Sequence, residues 1–285
     1  MAMAFMLPAL VILGAFVFWP MISALRLSFT HSSGFGPTTW VGLDNYREIL
    51  HDPKILKTLG VTGLYTVMFT PTAIVLALAL ALLLTNKALL GRGAFRTALF
   101  LPFVISMAVA AFAWSYLLDP QLGLLNYWLR EIGIQLGNVL QDPHLALPAV
   151  VVVAVWKSFG FYMVIFIAGL QQVPEELHDA ARIDGANAWQ RLTRITLPQL
   201  STTFAFVVVF ATIAALQAFD QIYVMTGGGP YRHTQTVVAE IYSQGFKKLD
   251  LGLATAISYV LLLITLVMSL IQFRFFGSRE KDVVG

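Results

Sequence analysis

Apolar runs of about two dozen residues alternate with polar intervals along the whole chain. Six runs stand out, over residues 5–29, 59–84, 98–118, 148–170, 199–223 and 253–276. Each exceeds the roughly 18–20 residues that carry a helix through about 30 Å of hydrocarbon. The pattern therefore predicts six transmembrane helices. The first run has no basic segment before it and is too long for a secretory signal core, so it reads as a span. Its Pro8 and Pro20 are tolerable in that setting. The interval 31–58 carries Gly34, Gly36, Pro37 and Pro53 as breakers, with a short helix expected near 45–50.

The polar interval 173–198 differs from the others, because it is long and itself patterned as a helix. It reads VPEELHDAARIDGANAWQRLTRITLP. Pro174 suits a first helical position, where its missing N–H costs nothing. Glu175 and Glu176 fall where negative charge complements the helix dipole. Arg182 falls in the last turn, and Gly185 follows as a left-handed terminator. A helix over about 175–184 is predicted, with Leu177, Ala180 and Ala181 on one narrow face of small groups. Another surface could approach that face closely. Pro198 marks a break before the next span.

Composition supports a membrane protein. Of 285 residues, 58% are hydrophobic and 12% charged, and the mean hydropathy is +0.76. Soluble domains carry about 25% charged residues. A net charge of +3 is too small to point to nucleic acid. The chain has no cysteine, which excludes disulfides, thiolate catalysis and thiolate-bound zinc. The intervals 85–97 and 171–198 and the C-terminal tail hold nine of the 18 lysines and arginines, against seven in three longer intervals. That bias places the first set in the cytoplasm. Six spans then put both termini inside, and the helix near 175–184 faces the cytoplasm.

The search for catalytic chemistry is negative. There is no G-x-x-x-x-G-K-[ST] motif, so no P-loop is expected. Gly227-Gly228-Gly229 lacks the lysine and reads as a turn. No H-E-x-x-H occurs, and His31, His51, His144, His178 and His233 are scattered through polar intervals. No catalytic residue and no metal site are predicted. Charge inside a span is more informative, because lipid penalises it. Lys157 lies well inside the fourth run and Asp220 near the outer end of the fifth. Lys157 faces a cavity or a partner, or snorkels to the interface. Asp220 lines the same cavity or caps and pairs at the interface. Gln217 and Tyr162 are further inward candidates. Trp114, Tyr116, Trp128, Trp156 and Tyr223 read as interfacial belt or packing.

Asp179-Ala180-Ala181, Gly185 and Ile195-Thr196-Leu197-Pro198 resemble the EAA loop of binding-protein-dependent ABC importer permeases, with the spacing E-A-A, three residues, G, nine residues, I-x-L-P. One position departs: Asp179 stands where the family usually has Glu. Phe219 to Pro230, FDQIYVMTGGGP, resembles the segment after the fifth core helix in the first permease of carbohydrate-type systems. The maltose-type and glycerol-3-phosphate-type branch is the nearest in pattern, over roughly residues 59–276.

That resemblance implies an all-α membrane protein with six transmembrane helices, in the type I ABC importer transmembrane fold with a cytoplasmic coupling helix. Residues 1–58 would form the first helix and an extracytoplasmic linker, 59–276 the core, and 277–285 a tail. It implies a bacterial or archaeal plasma membrane, a second permease, two copies of an ATPase subunit and a solute-binding protein. ATP and magnesium would be bound by the ATPase, with no cofactor in this chain. Glu176, Asp179, Ala180, Ala181, Asp184 and Gly185 would couple to the ATPase, and nucleotide-driven closure would move the pathway between inward and outward access. The solute region of maltose-type relatives corresponds to Lys157, Phe161, Tyr162, Ala215, Gln217 and Asp220. The solute would be a sugar or sugar-like molecule, glycerol 3-phosphate included. An ion-coupled secondary transporter is the competing reading. It would place acids deep in spans and show inverted hydropathy symmetry. The one acid seen in a span is near its end, and no such symmetry is apparent.

Overall fold

The computed structural model describes residues 2–34, 36–85, 89–133 and 137–284, and the side chains of 6–276 within these. Lys87 and Ala88 lie outside the described residues, as do the side chains of Arg279 and Lys281. In chain order the elements are α1 (Met6–Leu27), β1 (Thr30–His31), β2 (Thr39–Trp40), α2 (Asp44–His51) and α3 (Pro53–Thr85). They continue with α4 (Arg92–Val104), α5 (Met107–Leu117), α6 (Leu124–Glu131), α7 (Ala146–Leu170) and α8 (Glu175–Ile183). The last are α9 (Ala188–Gln199), α10 (Ser201–Leu216), α11 (Asp220–Met225), α12 (Val237–Tyr242) and α13 (Leu251–Val284).

Four helices are individually long and apolar enough to cross a bilayer: α1, α3, α7 and α13 up to Phe276. The third and fifth expected spans are not straight. α4 and α5 meet at 95° across Ile105–Ser106, and α9 and α10 meet at 71° at Leu200. The physical reason for the first bend is local: Ile105 and Ser106 both adopt extended backbone angles, which end the helical ladder. The second bend falls after Pro198 rather than at it, because proline fits the first turn of the short segment Leu197–Gln199. The fifth span also stops at Leu216, before residue 223. Phe219 leaves helical geometry and α11 starts afresh at Asp220.

The chain divides into two compact units. One comprises residues 1–60 with 236–264. Here α1 exposes apolar side chains along its length, as a lipid-facing helix does. Its C-terminal end is tied down by polar contacts: the Asn45 amide donates to the Ser28 carbonyl at 2.8 Å and to the Thr30 carbonyl at 3.0 Å. The Tyr259 hydroxyl donates to the Met21 carbonyl. Gly252 lets α13 pass directly against the Thr30 backbone.

The other unit comprises residues 61–235 with 265–285. Its centre is α7, whose buried residues cover most of its circumference. Gly160 is the closest approach to α4: a Cβ there would collide with the Leu99 carbonyl oxygen and lie 2.9 Å from the Phe100 Cα. Gly169 does the same toward the base of α10, where a Cβ would meet the Thr203 hydroxyl at 2.6 Å. Small residues at such crossings let helix backbones approach, and in lipid dispersion across that close contact carries much of the association.

Candidate functional sites

Helix α4 ends at Val104, within the third apolar run, and its last carbonyls have no intrahelical partner. Lys157, about 16 Å along α7 at 1.5 Å per residue, supplies one. Its ammonium donates to the Phe103 carbonyl at 3.3 Å and lies 4.7 Å from the centre of the Phe103 ring. A cation at a helix C-terminus also meets the negative end of the dipole. Lys157 is half-buried. It therefore does not reach for the interface by snorkelling; it holds a helix break.

Beside it lies a cleft of about 320 Å³, lined by Tyr65 and Phe69 of α3, Met107 of α5, Ala154, Lys157 and Ser158 of α7, and the segment from Ala214 to Gln221 save Ala215 and Leu216. Gln217, Ala218 and Phe219 separate α10 from α11, so this second helix break opens on the same space as the first. Three of the expected pathway residues, Lys157, Gln217 and Asp220, come together here. The other three do not line it. Ala215 and Tyr162 are buried. Phe161 stacks on Phe103 at 4.6 Å between centroids and tilts against Phe210 at 5.6 Å. It is the middle of an aromatic row behind the lysine rather than part of the cleft lining.

Tyr65 and Gln221 were not expected at this site. The Gln221 amide donates to the Tyr65 hydroxyl at 2.7 Å, and both residues are buried. Residues 156 positions apart give no local signal of meeting. One hint was present: Thr58, Thr62, Thr66 and Thr70 recur every four residues in an otherwise apolar run and are all buried. That stripe marks the inward face of α3, on which Tyr65 and Phe69 also lie.

The loop after α7 is built from two interlocked end motifs. Pro174 is not in the first turn of α8; it is the residue before it, with ψ of 131°, because an extended ψ there turns the chain into the helix. Helix α8 then ends as anticipated. Gly185 has φ of +77°, its N–H donates to the Arg182 carbonyl at 3.1 Å, and the Ala186 N–H donates to Ala181 at 2.8 Å. This paired pattern satisfies two of the orphan carbonyls. Two residues on, Asn187 opens α9: its side-chain oxygen accepts from the Gln190 N–H at 2.9 Å, and Gln190 accepts in return from the Asn187 N–H at 2.8 Å. The reciprocal cap is legible as N-x-x-Q in the sequence. Arg191 donates to the Ala186 carbonyl at 2.9 Å and closes the turn.

No residue of α8 is buried, and Ile183 and Trp189 are among the more exposed large side chains of the molecule. Asp179 already has a partner, the Arg182 guanidinium at 3.0 Å. The pair is well exposed on both sides, and such pairs contribute at most about 1 kcal/mol, so Asp179 is free to exchange partners. A recess of about 710 Å³ lies behind the helix, lined by Glu175 and His178 together with Arg92 and Arg96 of α4. Among the described residues no cluster of carboxylates and histidines is placed to hold a metal ion.

Residues 50–277 match the family described as binding-protein-dependent transport system inner membrane component. The chain belongs to that family. It is thus the permease of an ABC importer, a transport component and not an ATPase. The permease is 37% identical over 282 residues to the probable ABC transporter permease protein YurN of Bacillus subtilis, covering 98% of this chain and 96% of the relative. It is 36% identical over 274 residues to the sn-glycerol-3-phosphate transport system permease protein UgpA of Agrobacterium fabrum, covering 95% and 93%. The fold agrees with a chain of a bacterial ABC transporter involved in import of the acidic polysaccharide alginate, at TM-score 0.87 and 24% identity, covering 97% and 95%. A second structure of a bacterial alginate transporter, with a pentasaccharide-bound periplasmic protein, matches at TM-score 0.85. The permease therefore has the type I importer fold.

Proposed function

We propose that this permease forms a transmembrane pathway with a second, similar permease. It receives solute from an extracytoplasmic binding protein and is driven by two ATPase subunits that dock on α8. The observation that carries the coupling role is the pair of interlocked caps at Gly185 and Asn187, which ends and redirects a helix with no buried residue just after α7. A permease with no nucleotide site of its own must receive force through such a contact. Glu176, Asp179, Ala180, Ala181, Asp184 and Gly185 form the contact surface, with ATP and magnesium held by the ATPase. Alternating access follows as the ATPases close and α8 transmits their motion.

Each bent pair counts as one span in this reading, which makes six, with both termini cytoplasmic. Residues 1–58 are the first span and linker, 59–276 the transporting core and 277–285 a tail. The test uses the absence of native cysteine. Single cysteines at the exposed positions Thr39 and Asn138 are expected to react with an impermeant reagent in intact cells, and one at Asn187, also exposed, is not. Reversed labelling would overturn the orientation.

The solute is a sugar or sugar-like polyol, glycerol 3-phosphate included. Similarity to glycerol-3-phosphate permeases supports this class, and so does a cleft whose lining includes one cation, Lys157, among neutral hydrogen-bonding groups and Asp220. Uptake by the reconstituted transporter with its binding protein distinguishes the members. Transport of neither sugars nor glycerol 3-phosphate would reject the class.

A further inference from the structure

We propose that α6, the short helix after the bent pair α4–α5, is an in-plane anchor that lies in the lipid headgroup layer and fixes the end of α5. At about 100° per residue, Tyr127, Glu131, Leu124, Trp128 and Ile132 occupy one continuous arc of about 140°. Leu124, Tyr127, Trp128 and Ile132 are all more than half exposed, at 56%, 59%, 65% and 70%. Leu122, just before the helix, is 70% exposed. The opposite side is tied to the preceding turn by polar contacts. Asn126 is buried, and its amide donates to the Leu118 carbonyl at 3.1 Å and the Asp119 carbonyl at 3.0 Å. Arg130 donates to the Pro120 carbonyl at 2.9 Å. Asp119 accepts from the backbone N–H groups of Leu122 and Gln121, both at 2.8 Å, which holds its carboxyl below its usual range.

The helix is thus pinned to the end of a membrane-crossing segment, with its apolar side turned outward. Lipid is the occupant these observations favour. The exposed side of α5 itself carries Val109, Phe112 and Tyr116, so an outward apolar surface runs from the span to within a few residues of α6. A tyrosine and a tryptophan side by side, their rings edge to face at 6.0 Å, are the residues that concentrate at the headgroup layer. A helix with one apolar side and low overall hydrophobicity lies in that plane rather than crossing it. Glu131, the one charge on the arc, is the last residue of the helix and can reach water from there. The mechanical consequence is specific to this fold. The bend at Ile105–Ser106 leaves α5 only 11 residues long, too short to cross a bilayer by itself, so an anchor at its end sets its depth.

The cysteine-free chain allows a direct test in the complete transporter reconstituted in phosphatidylcholine–phosphatidylglycerol nanodiscs. Spin labels are placed singly through Leu124→Cys, Trp128→Cys and Ile132→Cys, with Gln121→Cys as the aqueous reference. Collision with oxygen and with a water-soluble nickel chelate is then measured. The expected result is an oxygen-to-nickel ratio several-fold higher at 124, 128 and 132 than at 121. A nickel accessibility equal to that at 121 would overturn the proposal. So would low accessibility to both reagents, or protection that appears only when the solute-binding protein is added, since either means that protein covers the helix. The labels at 124 and 132 keep Trp128 in place, so failure of the Trp128 variant to assemble does not decide the outcome.

Discussion

The ammonium of Lys157 sits 3.3 Å from the carbonyl oxygen of Phe103, a residue 54 positions earlier in the chain. A charge that lipid would penalise is thereby used to close an open helix end. The contact joins α7 to the bend beside the cleft, so the lysine has a structural partner and a place in the cleft lining at once.

Replacing Lys157 should separate these roles. Loss of a charged donor from a partly buried acceptor costs about 1.5–3 kcal/mol. Lys157→Met is expected to lower the melting temperature of the assembled transporter and to reduce uptake, with basal ATP hydrolysis retained. Lys157→Arg keeps a donor and should recover much of the stability. Unchanged uptake in the methionine variant, measured at matched protein levels, would remove Lys157 from the pathway.

Gly160 should tolerate no side chain. A Cβ there drives into the α4 backbone at Leu99 and Phe100, and overpacking of this kind costs about 1–3 kcal/mol. Gly160→Val is expected to lower the yield and thermal stability of the folded transporter. Gly63→Ala, where nothing lies within 4 Å, serves as the neutral comparison. Equal stability of the two variants would show that α4 and α7 do not cross as described.

At Gly185 the constraint is backbone geometry alone, because a Cβ would meet nothing within 4 Å while φ is +77°. A β-branched residue in this conformation costs about 1–2 kcal/mol or more. Gly185→Val is expected to release the ATPase from the membrane or to abolish solute-stimulated hydrolysis. Asn, which visits the left-handed region more readily, should retain coupling in Gly185→Asn. Asp179→Lys should also uncouple, by reversing the charge offered to the ATPase. Co-purification of the ATPase with stimulated hydrolysis is the readout, and normal values in both the valine and lysine variants would sink the coupling assignment.

The cap at Asn187 should matter to α9 in the same way. Removing an N-cap side chain costs about 1 kcal/mol. Asn187→Ala is expected to speed amide hydrogen exchange at residues 188–191 and to weaken stimulation of the ATPase, while Asn187→Asp retains both. Exchange unchanged in the alanine variant would mean that the reciprocal cap does not hold this turn.

Much of this protein is determined by local sequence alone. The apolar runs fix where helices cross, because the length of a span is set by hydrocarbon thickness. The end of α8 is readable residue by residue, because charge in its first turn and a glycine after its last turn act within a few bonds. Lys157, Gln217 and Asp220 stand out because ionised and amide groups are costly in an apolar run. What tertiary structure decided is where helices break and what meets across them. The bend at Ile105–Ser106 carries no proline or glycine at the break itself, so composition reads straight through it, while Pro198 signals a break two residues before the bend at Leu200. Their open ends are tolerated because packing supplies partners, Lys157 for one of them. The contact of Gln221 with Tyr65, and the placing of Phe161 behind the cleft rather than in it, depend on helix rotation. That rotation is set by close crossings such as Gly160 on α4, which involve backbone atoms remote in sequence and leave no periodic trace.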